Sequence, residues 1–151
     1  MGRSAARTKN VAVSPTAYSL DSFALLAYLE GETGESRVRE LLEGAQAGSH
    51  TIHVSLINLG EVLYITERQR GLVNAQRTLA AIDQLPVQIE PVNRATVLAA
   101  AHVKARHRIS YADAFAVVTA QEHEAVLVTG DPEFETLEES NVVKLEWLPR
   151  P

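Results

Sequence analysis

Apolar and polar positions change period repeatedly along the chain, and the changes divide it into alternating strands and helices. Short apolar runs bounded by turn residues predict strands at Thr16–Asp21, Thr51–Ser55, Pro86–Val92, Ala125–Thr129 and Val142–Trp147. The run AVLVT at 125–129 is almost continuously apolar, as in a parallel strand buried on both faces. Helical spacing predicts helices at Ser22–Glu30, Glu35–Ala47, Leu56–Arg70 and Leu72–Leu85. A longer helix is expected from an Asn93 cap through His107, with Ala95, Leu98, Ala99, His102 and Val103 on its apolar stripe. Another covers Ile109–Gln121 behind Ser110 as N-cap, and Pro132 opens a short one to about Glu139. Gly31, Gly34, Gly48 and Gly71 separate the pieces.

Strands alternating with helices mean βαβ units. The expected fold is α/β: a mainly parallel five-stranded sheet between helical layers, over residues 16–149. No internal repeat, second core or long linker is evident. With 151 residues the chain can bury a sizeable core, and 46% apolar with 22% charged residues is an ordinary globular profile. No apolar run approaches a membrane span, and no stretch resembles a signal peptide. Cysteine is absent, which excludes disulfides and thiolate metal sites and makes the cytoplasm the default compartment. Met1–Pro15 holds Arg3, Arg7 and Lys9 but no acid and little apolar periodicity, so it reads as a disordered tail.

Four carboxylates fit this pattern poorly as solvated charges. Asp113 has Ile109 four residues before it and Ala116 and Val117 three and four after, so it projects from an apolar face. A helix-capping acid is the competing account, since Ser110 stands three residues upstream. Asp21 ends the first strand and Asp131 follows the most apolar one, at the edge where parallel sheets bind ligands. Taken singly, each is explained by an N-cap or a turn. Glu61, inside LINLGEVLYI, has no capping role; a salt bridge to an arginine is the alternative. If the four converge, their repulsion requires a cation. Oxygen-only ligation suits Mg2+ or Mn2+, and such a site is suited to phosphoryl chemistry.

Charge bears on the partner. The formal charge of −5 opposes a plain electrostatic nucleic-acid binder, but the four acids account for most of it. Lys104, Arg106, His107 and Arg108 gather just before the Asp113 helix, where they suit phosphate contacts or, equally, the helix dipole.

The segments LDSFALLAYL, INLGEVLY, ISYADAFAVVTA and LVTGDPEF occur in an order and spacing that resemble the PIN-domain ribonucleases, above all the VapC-type toxins of bacterial toxin–antitoxin pairs. The resemblance spans about Thr16 to Leu148. It implies a central parallel sheet of five strands with helices on both sides, and Mg2+- or Mn2+-dependent endoribonuclease activity. It implies Asp21, Glu61, Asp113 and Asp131 as catalytic and metal-holding residues, supported by the hydroxyls of Ser22 and Thr129. RNA substrate, a VapB-type antitoxin and toxin dimers are implied as partners. The basic tail departs from the compact start of such toxins.

Other classes drop out. The five histidines show no pair at metal-ligand spacing along the sequence, and there is no Walker lysine loop, GxGxxG or GxSxG. A receiver domain would need paired acids early, and Asp21 has no acidic neighbour. The remaining alternative to a nuclease is a PIN-like protein- or RNA-binding module whose acids are structural.

Overall fold

The computed structural model describes residues 16–149; the tail expected over Met1–Pro15 lies outside them. Five strands, β1 (Ala17–Leu20), β2 (Thr51–Ser55), β3 (Gln88–Glu90), β4 (Val126–Thr129) and β5 (Lys144–Trp147), form one sheet in the order β3-β2-β1-β4-β5. Every pairing is parallel. The helices are α1 (Ser22–Leu29), α2 (Glu35–Gln46), α3 (Leu56–Arg70), α4 (Leu72–Asp83), α5 (Arg94–Arg106) and α6 (Tyr111–Glu122), with a 3-10 turn at Pro132–Leu137. This is the α/β architecture expected from the alternating pattern.

Alternation along the strands builds two cores. Tyr18, Leu20, Ile52 and Val54 meet Leu25, Val38, Leu41, Val62 and Ile82 on the α1–α4 side. Ala17 and Leu127 meet Ala100, Phe115, Val118, Phe134 and Leu137 on the α5–α6 side. Helix α6 lies deepest: every residue from Asp113 to Ala120 is buried. Phe115 is among its largest fully buried side chains, and truncation to alanine would cost roughly 3–5 kcal/mol.

Three local expectations change. The strand expected at Pro86–Val92 shrinks to Gln88–Glu90. Pro86 and Pro91 flank it, and a residue without an N–H cannot donate to the ladder. The helix from Pro132 is a 3-10 turn. On α5 the buried stripe is Thr96, Ala100 and Val103, whereas Leu98 is 56% exposed. Both stripes have helical spacing. Val103 belongs to both, and Thr96 and Ala100 rather than Ala95 and Leu98 turn inward where α5 packs on α6.

The strand order fixes where a ligand can sit. From β1 the chain winds outward through β2 to β3, then crosses back to β4 and β5 on the other side. Neighbouring strands β1 and β4 therefore send their following segments in opposite directions. The crevice beyond their carboxyl ends is the switch point where open α/β sheets bind ligands. Asp21 and Asp131 occupy that crevice.

Candidate active site

Asp21 leaves β1 and caps α1. Its Oδ1 accepts from the Ala24 N–H at 2.8 Å, and its Oδ2 accepts from the Thr129 hydroxyl at the end of β4. The capping account is therefore correct for one oxygen only. The second is held across the sheet by the hydroxyl that also accepts from the Asp131 N–H at 2.9 Å. One threonine thus ties the first and fourth acids into one unit. Gly130 lets the two loops approach: a Cβ there would lie 2.4 Å from the Phe23 ring.

Asp131 caps the 3-10 turn by accepting from the Glu133 N–H at 2.9 Å, as its turn role requires. Glu61 forms no salt bridge among the described residues; instead the Ser22 hydroxyl donates to it at 2.6 Å. Helix α3 is in turn fastened to α6 by the Asn58 amide, which donates to the Ala112 carbonyl at 3.2 Å, one residue before Asp113.

Asp113 is the acid for which the capping account fails. Ser110 caps α6 by accepting from the Asp113 N–H at 3.1 Å. In a capping box the Asp113 carboxylate would return the bond to the Ser110 N–H. That N–H donates instead to Glu133 at 3.1 Å. Asp113 is thus released from helix duty while only 4% exposed.

Glu133 is the residue the sequence reading missed. One oxygen from each of Asp113, Asp131 and Glu133 lies within 4.8 Å of the others. An acid two residues after an N-cap looks like a first-turn acid, and that familiar pattern hid it. Its separation of two from Asp131 across Pro132 was the available signal.

The electrostatics agree with crowding. Burial pushes Asp21 up to about 7, against the hydrogen bonds from Thr129 and Ala24, and Asp131 and Glu61 add repulsion. Burial pushes Asp113 up to about 8, helped by hydrogen bonding with Glu133 and by the charges of Asp131 and Asp21, and opposed by Ser110. Among the described residues no salt bridge involves Asp21, Glu61, Asp113, Asp131 or Glu133. Oxygen donors alone, crowded and unneutralised, fit a hard divalent ion.

All four acids expected from the sequence therefore lie at one end of the sheet, together with Ser22 and Thr129. Lys104 and Arg106 stand in the last turn of α5, exposed, and Arg108 follows in the link to α6.

Comparison with known proteins gives the same architecture. The PIN domain family model matches residues 18–139. VapBC2 from Rickettsia felis, solved bound to a DNA fragment from its promoter, is 19% identical with a TM-score of 0.67, covering 88% of this chain and 99% of that one. VapC20 from Mycobacterium tuberculosis, a sarcin-ricin loop cleaving toxin, is 18% identical with a TM-score of 0.62, covering 80% and 95%. A toxin–antitoxin complex from Klebsiella pneumoniae is 20% identical at a TM-score of 0.62, covering 83% and 94%. At these identities the likeness is one of fold. No curated protein matches the chain.

Proposed function

The chain belongs to the PIN domain family, and from that premise we propose that it is a metal-dependent endoribonuclease of the VapC type, the toxin of a toxin–antitoxin pair. The carrying observation is the convergence of Asp113, Asp131 and Glu133 beside buried Asp21, with no cationic side chain among the described residues bridged to any of them. In this reading residues 16–149 form a single PIN domain, and Asp21, Glu61, Asp113 and Asp131 are its catalytic, metal-holding residues.

Mg2+ or Mn2+ held there supplies charge neutralisation at the scissile phosphate and a water activated at neutral pH. The remaining roles belong to side chains of this chain. Thr129 fixes Oδ2 of Asp21, and Ser22 fixes the carboxylate of Glu61, so neither acid must be ordered when substrate arrives. Glu133 accepts from the Ser110 N–H beside Asp113 and would add a further oxygen to the metal-holding set. Lys104, Arg106 and Arg108 hold substrate phosphates without reading sequence.

The neighbours solved as toxin–antitoxin assemblies support a VapB-type antitoxin as partner. Toxin dimers and a cytoplasmic site of action follow the same analogy. No helix among the described residues is long and apolar enough to cross a membrane.

The test is cleavage of a pool of structured and single-stranded RNAs by purified, antitoxin-free protein with Mg2+, Mn2+ or EDTA, beside Asp113→Asn. Cuts that need metal and vanish in the variant are expected. Cuts that persist in EDTA or in the folded variant would overturn the assignment. A folded protein that binds metal at these acids yet cuts nothing in the pool would favour the binding-module reading.

A further inference from the structure

At the other end of α6 lies a second cluster that the nuclease reading does not use. His53 of β2, Glu90 of β3 and His123, the C-cap of α6, bring one ligand atom each within 4.8 Å of the others. Along the sequence no histidine pair has ligand spacing; the fold draws these two from distant segments. Glu90 lies between them, 2.7 Å from His53 Nδ1 and 3.4 Å from His123 Nε2. Ten residues of helix separate His123 from Asp113, roughly 15 Å of rise, so this is not an extension of the carboxylate centre.

The cluster is held in place by its neighbours. The Thr51 hydroxyl has the Thr16 carbonyl, an acceptor only, at 3.4 Å, and His53 Nε2 at 2.9 Å. His53 thus has one ring nitrogen at the Thr51 hydroxyl and the other at the Glu90 carboxylate, and the two side chains are only 6% and 19% exposed. No lysine or arginine among the described residues pairs with Glu90. Ser19 sits opposite His53 in register, on the same face of the sheet, fully buried and with no partner for its hydroxyl. A polar group is thus left over beside the imidazole, as it would be if a bound ion or its water were to complete the cluster.

We propose that His53, Glu90 and His123 form a second metal site, for a borderline ion such as Zn2+, which ties edge strand β3 to β2 and to the C-terminal end of α6. Two imidazoles and one carboxylate, with the fourth position to water, are a known zinc donor set. Ligand atoms of a tetrahedral zinc stand about 3.3 Å apart, close to the spacings found here. Thr51 is the outer partner that orients a ligating imidazole. The rings of His53 and His123 stack at 3.9 Å and 15°. His123, the most exposed of the three at 30%, turns about its outer side-chain bond to direct Nε2 at the ion. The ion fastens a strand that has only three residues in the ladder.

The test is Zn2+ retention by full-length protein after gel filtration in excess Mg2+, which occupies the carboxylate centre, read by elemental analysis with melting temperature alongside. Wild type and Asp113→Asn should each keep about one equivalent of Zn2+ and melt about 5 °C higher with it. His123→Ala, a partly exposed change compatible with folding, and Glu90→Gln should each lose at least about tenfold in Zn2+ affinity. Zinc retained by His123→Ala and Glu90→Gln but lost by Asp113→Asn would place the ion among the acids and overturn the proposal. No zinc retained by wild type would mean that only a proton lies between His53 and Glu90, and would overturn it equally.

Discussion

The two ends of α6 solve opposite problems with the same materials. At its N-terminal end Asp113 is buried among acids, and no imidazole, lysine or arginine among the described residues is bridged to any of them. At its C-terminal end Glu90 is held between two imidazoles. Both ends bury ionisable groups, but at the first the neighbours are further acids, and burial drives Asp21 and Asp113 up to about 7 and 8. Burial alone therefore does not mark the candidate active site. The marker is burial among like charges, which a bound cation would offset.

The largest expected effect breaks the acidic end outright. Asp21→Asn and Asp113→Asn should each lower Mg2+-dependent RNA cleavage by at least about a hundredfold while far-ultraviolet circular dichroism is unchanged. Near-wild-type rates from either folded, metal-loaded variant would end the assignment.

Next comes the pH dependence of stability without metal. Asp21 and Asp113 bind protons more tightly folded than at their ordinary value of 3.8. Their stabilising contribution is therefore complete below about pH 4 and is lost as pH rises through the folded values near 7 and 8. In EDTA the melting temperature should fall by on the order of 5 °C between pH 5.5 and pH 8.5. Saturating Mg2+ should flatten the fall, and a flat profile in EDTA would contradict the crowding of the acids.

Gly130→Ala tests the joint between the β1 and β4 exits. The added methyl meets the Phe23 ring, so a cost of roughly 1–3 kcal/mol is expected in urea unfolding, with reduced cleavage. Wild-type stability and rate together would show that the ring yields freely.

The smallest effects sharpen the contrast most. Glu61→Gln keeps an oxygen for the Ser22 hydroxyl and removes a charge, so in EDTA at pH 8 it should raise the melting temperature by about 1–2 °C. His123→Ala should lower it by a similar amount, about 1–2 °C, by removing a stacked ring and a partner of Glu90. Shifts of the same sign would erase the distinction between the ends.

Much of this was legible beforehand because period and punctuation are local. The strand at Thr51–Ser55 and the helix at Leu56–Arg70 match their expected bounds, since Ser55 caps one while Gly71 ends it. Helix α5 buries Val103 as expected but turns Leu98 outward, because two stripes of equal spacing compete and only the neighbouring helix decides between them. Asp113 was singled out for its apolar surroundings, which are visible along the chain. Glu133 was not, because its acidity is ordinary for a first turn; what sets it apart is the Ser110 N–H it takes from across the crevice.

The one-dimensional pattern thus determined the parallel α/β layering, the four acids and the end of the sheet to which they belong. Those depend on periodicity and on which strands precede which residues. The tertiary structure alone decided which Asp21 oxygen caps α1 and which Thr129 holds, that Glu133 lies beside Asp113 and Asp131, and that two remote histidines enclose Glu90. Such facts depend on contacts between residues far apart in the chain, and the chain's local order carries no record of them.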